Sequence, residues 1–161
     1  EPYRRQRQMC IRDSNYFGKV IGEWDLDWND RLNTSTPRRM KGEWIFSWVL
    51  DGMAVQDVFI VPSRAERLTD IQPDAAYGTT IRLFNIERQV WEIFYGCPEE
   101  CARLEARKEG DEIILTEITS KAMKWIFSDI TDNSFTWRSI AKSPAGDWIT
   151  LARVYATRKK K

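Results

Sequence analysis

From Val20 onward the chain is built of short runs in which apolar and polar residues alternate, divided at intervals by turn-forming residues. In VIGEWDLDW, Trp24, Leu26 and Trp28 fall on one face and Glu23, Asp25 and Asp27 on the other, the period of two that marks a half-buried strand. KGEWIFSWVL and MAVQDVFIV flank Asp51-Gly52, a dipeptide suited to the positive φ angles of a two-residue hairpin, so these runs are expected to pair antiparallel. YGTTIRLF and VWEIFYG follow, joined by a tight turn in NIERQ. RLEARK, EIILTEI, MKWIFSDI, SFTWRSIAKS and DWITLARVYATR are then separated by Gly-, Asn-, Asp-, Ser- or Pro-containing links.

The pattern predicts about ten strands in sequential order. A long meander with bulky aromatics on alternate positions leaves two sticky edges, and closure removes both. The expected fold is therefore all-β, a closed antiparallel up-and-down barrel, since Greek-key crossovers need longer links than these. The one long connection, residues 62–76, is expected to hold a helical turn over 63–68, with Ser63 as cap and Glu66 three residues on. A second helical turn is expected at PEEC, after Cys97.

Composition narrows the chemistry. The chain has 161 residues, eight Trp and no His, which removes His-dependent nucleophile arrangements, imidazole zinc sites and His-ligated haem. With 25 basic and 24 acidic residues, neither nucleic acid nor an anionic membrane is called for, and no apolar run is long enough for membrane insertion. No cofactor and no metal are expected. Cys97 and Cys101 lack a second pair for structural zinc and are not a Cys-x-x-Cys motif, leaving a local disulfide or two thiols.

The first residues break the alternation. RRQRQMCIRDS, residues 4–14, matches at every position the translation of an adapter used in transposase-based sequencing. Residues 1–14 are thus expected to be a non-native, disordered segment from an environmental-DNA translation, the alternative being a natural basic arm. Without them four arginines, two acids and Cys10 leave the count, and the formal net charge passes from +1 to −1. The natural start is then missing. A cytoplasmic location is favoured without a targeting signal to read. Residues 15–157 are expected to form one barrel domain and 158–161 a solvated basic tail.

IGEWDLDW resembles the first strand of the calycin superfamily, whose lipocalin members carry Gly-x-Trp there, matched here by Gly22 and Trp24. The resemblance implies that Trp24 closes one barrel end beneath an arginine of the last strand, Arg153 or Arg158. From about Asn15 to the C-terminus, GEWIFSWVLDG, YGTTIRLFN and KWIFSDITDNSFTWR are similar to a family of uncharacterised bacterial lipocalin-like barrels. It also implies binding of apolar small molecules. Some calycins hold haem through a histidine, which this chain lacks.

The candidate ligand-binding set joins aromatic walls to polar anchors: Trp44, Trp48, Tyr95, Trp125 and Trp137 with Arg82, Glu92, Arg138 and Arg153. The competing reading packs the rings as core and turns the charges to water. An inward arginine must be paired or meet a ligand anion. The leading expectation is binding, without chemistry, of a small apolar or amphiphilic ligand inside the barrel, an anionic one being an option if an arginine points inward. Alternatives are a barrel isomerase, cyclase or hydrolase using Glu92, Tyr95 or Arg138, and an interaction module that forms a homodimer.

Overall fold

The computed structural model describes residues 14–160. The segment 1–14 set aside above lies outside the described residues except for Ser14. That residue begins a one-turn helix α1 (Ser14–Phe17), which runs into a 3-10 turn (Gly18–Val20).

Ten strands follow: β1 (Gly22–Asp30), β2 (Arg38–Val49), β3 (Ala54–Ile60), β4 (Tyr77–Asn85), β5 (Val90–Gly96), β6 (Cys101–Glu109), β7 (Glu112–Glu117), β8 (Met123–Ser128), β9 (Ser134–Lys142) and β10 (Trp148–Arg158). Each pairs antiparallel with its sequence neighbours, and β1 pairs with β10 to close the barrel. Every expected strand is present and in order. The register across the seam, Trp24 opposite Arg158 and Trp28 opposite Val154, leaves no edge for a further strand.

Alternation sets the two faces. In β1, Trp24, Leu26 and Trp28 are buried while Glu23 and Asp25 face water, as the sequence pattern requires. One continuous aromatic and aliphatic core fills the interior, from Phe17 and Trp91 at one end to Trp28 and Trp137 toward the other.

The links differ from expectation in three places. The β2–β3 connection is a 3-10 turn over Leu50–Gly52 rather than a two-residue hairpin, with Leu50, Asp51 and Gly52 all at positive φ. Pairing of Val49 with Ala54 leaves four residues to span the gap, two more than Asp51-Gly52 alone supplies. The PEEC stretch is not helical, because Cys97 N donates to Glu100 O and closes a β5–β6 hairpin. Over 63–70 the backbone makes consecutive turns, with Glu66 N and Arg67 N both donating to Ser63 O; the Ser63 carbonyl, not its hydroxyl, organises them.

The two barrel ends are unlike. One is plugged by the N-terminal segment: Phe17, Val20 and Trp24 are fully buried, with the Phe17 ring 5.3 Å from Trp91 in an edge contact. Trp24 Nε1 donates to Val20 O at 2.8 Å, so the indole holds the plug by hydrogen bond as well as by area. Arg158 stacks on the outer side of Trp24, 4.2 Å from its ring, and donates to Ile21 O and Lys19 O. This is the arginine of the last strand; Arg153 points to solvent. Gly22 has φ of +128°, and a Cβ there would run into the Arg158 guanidinium, which explains the glycine of Gly-x-Trp.

The charged C-terminal run is accordingly not all tail. Arg158 completes β10, while Lys159 N donates to Glu23 O and its ammonium bonds Glu43.

The opposite end is roofed by the long loop after β3. Val61 N donates to Ala76 O, and Ser63 N to Lys41 O, so the loop leaves and rejoins the barrel beside the mouth, where Ala76 lines the interior. Arg38 fixes its far side through Asp30 at 2.8 Å, Asp74 at 2.8 Å and Gln72 at 3.1 Å, and Arg31 adds an ion pair to Asp74.

Candidate functional site

Beneath that roof lies a cavity of about 110 Å³ lined by Trp28, Trp44, Phe59, Ala76, Thr80, Arg82, Tyr95, Trp125 and Trp137. Six of the nine are aromatic, contributed by β1, β2, β3, β5, β8 and β9, so the wall is assembled from around the whole barrel.

The rings hold one another in place. Trp137 stacks on Trp28 at 5.7 Å and meets Trp44 edge-on at 5.8 Å, while Tyr95 meets Trp125 edge-on at 5.1 Å. Such geometries are those aromatic quadrupoles favour. Phe59 and Tyr95 stack at 6.0 Å across Gly78 on the intervening strand. A Cβ on Gly78 would come within 3.0 Å of Phe59 and 3.1 Å of Tyr95, so the bare glycine makes room for that wall.

Polarity is confined to the inner end. Arg82 is 1% exposed, and its Nη2 donates to Asp57 Oδ2 at 2.6 Å. The same oxygen accepts from Trp44 Nε1 at 2.9 Å. The guanidinium lies 4.4 Å from the Phe17 ring and 5.3 Å from those of Phe46 and Phe127, contacts a delocalised cation tolerates better than an ammonium does. Burial pushes Arg82 below its ordinary value and Asp57 opposes the shift; a guanidinium stays charged in either case.

Several polar atoms here are left without partners: Arg82 Nε and Nη1, Asp57 Oδ1, and the indole Nε1 of Trp137. Trp91 Nε1, outside the cavity lining, is unpartnered as well. Buried donors are nearly always satisfied, so the two unused nitrogens of Arg82 and the unused indole of Trp137, both residues of the cavity wall, need an explanation. Tyr95 adds a phenol to the wall; burial, helped by the neighbouring Cys97, raises its pKa and keeps it neutral.

Of the residues singled out in the sequence, Trp44, Arg82, Tyr95, Trp125 and Trp137 meet around this cavity. The others do not. Trp48 lies at the plugged end of β2 and is 37% exposed. Glu92 is on the outer face, bonded to Asn85 and paired with Arg88. Arg138 and Arg153 are opposite one another on the outside of β9 and β10, where Arg138 pairs with Glu112. Outward arginines cost nothing there, because water and a surface acid solvate them. Glu92, Tyr95 and Arg138 therefore do not converge, and the acid, phenol and arginine pocket of the enzyme alternative is not formed.

Five contributors lie outside the candidate set: Trp28, Phe59, Ala76 and Thr80 on the wall, and Asp57 behind Arg82. Asp57 and Arg82 each carry a readable signal, since Val55-x-Asp57-x-Phe59 and Thr80-x-Arg82-x-Phe84 put a charge in phase with core residues.

Cys97 and Cys101 are both free. Among the described residues no group of three or more His, Cys, Asp or Glu is placed to hold a metal ion, and no helix is long and apolar enough to cross a membrane.

Neither a protein-family model nor a curated protein sequence matches the chain. Solved structures do share its fold. An S-type phycobiliprotein lyase, CPES from Guillardia theta, aligns with a TM-score of 0.60 over 96% of this chain and 98% of its own at 12% identity. The M. tuberculosis protein Rv2717c aligns at 0.56 over 91% and 97%, with 11% identity. Both likenesses extend over the complete barrel and are consistent with a lipocalin-like architecture.

Proposed function

We propose that this barrel binds a small apolar or amphiphilic molecule in its interior and does not transform it. One observation carries the reading: a buried arginine lining an aromatic cavity, with two guanidinium nitrogens and a neighbouring indole N–H left without acceptors. A ligand atom that accepts those hydrogen bonds would relieve a cost of about 1–3 kcal/mol per unsatisfied donor. The rings meanwhile offer the apolar enclosure in which small ligands are held.

The size of the cavity defines what enters first. Engineered apolar cavities of about 150 Å³ hold a benzene ring. A space of about 110 Å³ suits one ring or a short chain, and a longer molecule would leave its remainder between Ala76 and Tyr95 at the mouth.

Binding is favoured over catalysis by the chemistry of the wall. Its one ion pair is already closed, its phenol is held neutral, and what remains polar is the Thr80 hydroxyl and the indole N–H groups. General acid–base work needs a group poised near the working pH, and none of these is poised so. The likeness to a phycobiliprotein lyase, at 12% identity, supports the barrel and not an activity.

Tryptophan fluorescence titrated with fatty acids, isoprenoids, haem and single-ring aromatics tests the proposal. Saturable quenching or a blue shift by at least one class is expected, weakened at least tenfold by Phe substitution of Trp137. A panel that produces only linear, non-saturating changes would sink it.

A further inference from the structure

The inner end of the cavity is balanced in charge before any ligand arrives. Arg82 and Asp57 are paired at 2.6 Å, with side chains 1% and 0% exposed. What the cavity wall and this pair leave unused is unequal: donors at Arg82 Nε, Arg82 Nη1 and Trp137 Nε1, against one acceptor, Asp57 Oδ1.

Two kinds of ligand group could accept from those donors. A carboxylate or phosphate would do so while adding a second negative charge beside Asp57, inside walls of Trp and Phe. A buried charge without compensation is strongly unfavourable, and the only cation present is already compensated. A neutral carbonyl oxygen has the same lone pairs and brings no charge. An adjoining N–H could in addition donate to Asp57 Oδ1, using the last unpaired atom of the set.

Resting on the reading that the cavity holds a ligand, we infer that the group bound at Arg82 is an uncharged carbonyl, a carboxamide best and a ketone or ester next, carried on one ring or a short chain. Carboxylates of the same shape are rejected, and Asp57 is the residue that rejects them. The pair thus acts as a filter for charge: Arg82 offers donors, and Asp57 cancels the attraction that an arginine alone would exert on anions.

Benzamide, acetophenone and benzoate differ little in size and separate these possibilities. Calorimetric titration of the full chain at pH 7.5 should place benzamide and acetophenone above benzoate by at least tenfold. In Asp57→Asn, which keeps the shape and an acceptor for Trp44 but leaves Arg82 uncompensated, the order should reverse, with benzoate gaining at least tenfold on benzamide. Should that variant fail to fold, the wild-type ranking alone decides. Benzoate binding as tightly as benzamide to the wild-type chain, or an unchanged order in a folded Asp57→Asn chain, overturns the inference and leaves an interior site standing. Binding of none of the three also overturns the inference, and the interior site then stands or falls with the fluorescence panel.

Discussion

The Arg158 guanidinium carbon lies 4.2 Å from the centroid of the Trp24 ring, and its three nitrogens donate to the carbonyls of Ile21, Lys19 and Asp132. The last strand is thereby fastened to the plug that precedes the first. The interaction combines ring contact with three charge-assisted hydrogen bonds in one planar group.

Arg158→Met keeps much of the apolar stem but loses the fork, and should destabilise the barrel by about 1–3 kcal/mol. Arg158→Lys should recover less than half of this, because an ammonium cannot meet the three carbonyls and the ring at once. Urea denaturation followed by near-UV circular dichroism reads both. Full recovery by lysine would reduce the contact to a simple charge effect.

Asp57 and Arg82 make a different prediction. Removing one member strands the other in an aromatic interior, so Asp57→Ala should cost about 3–5 kcal/mol. The double variant Asp57→Leu with Arg82→Met should be more stable than either single charge deletion, since no lone charge is left. A double-mutant cycle from denaturation midpoints supplies the coupling. Additive losses would mean that the two groups do not depend on each other.

On the outer face Glu43 ties the roof loop to the C-terminus, accepting from Arg64 and from Lys159. The Arg64 hydrogen bond first, and Lys159 after it, hold its carboxyl at about 2 against an ordinary value of 4.5, although burial acts the other way. The folded-state value is the lower one, so the stabilisation is complete above pH 4.5 and fades as pH falls toward 2. Glu43→Gln should therefore lose about 1–2 kcal/mol at pH 7, a figure kept modest by the exposure of Arg64, and match the wild type near pH 2. A stability difference that stayed constant over this range would contradict the assignment.

The roof should open where Arg38 is removed. Arg38 bridges β1 and the long loop through Asp30, Gln72 and Asp74, and Arg38→Ala leaves the loop with fewer anchors. Amides over residues 64–75 should exchange at least tenfold faster, while that of Lys159, bonded to Glu23 O at the plugged end, should not change. Uniform acceleration across the barrel would indicate global destabilisation instead.

The ten strands were legible because alternation and turn chemistry agree along the whole chain, with each prediction reinforcing its neighbour. The faces were legible only where the two sides contrast, as in Trp24-x-Leu26-x-Trp28. In TTIRLF the contrast is inverted: Ile81 is 38% exposed and Arg82 is buried. Hydropathy taken one residue at a time sends Arg82 outward, since only its partner 25 residues earlier makes burial tolerable. Arg138 and Arg153 look the same in sequence and lie outside, because Trp137 on β9 and Ala152 and Val154 on β10 take the inward phase beside them. The Gly78 gap and the Asp57 pairing depend on neighbours across strands, which a linear pattern does not contain.

The central claim is that the barrel interior, and not its surface, receives a ligand. The most direct test is the indole N–H spectrum of ¹⁵N-labelled protein, recorded while neutral and anionic single-ring compounds are titrated in. The account predicts that the Trp137 and Trp125 signals move together and saturate for at least one compound, while that of Trp148, exposed on the outer face between Lys124 and Lys142, stays fixed. Saturable shifts confined to Trp148, or none at either cavity indole with any compound, would contradict it.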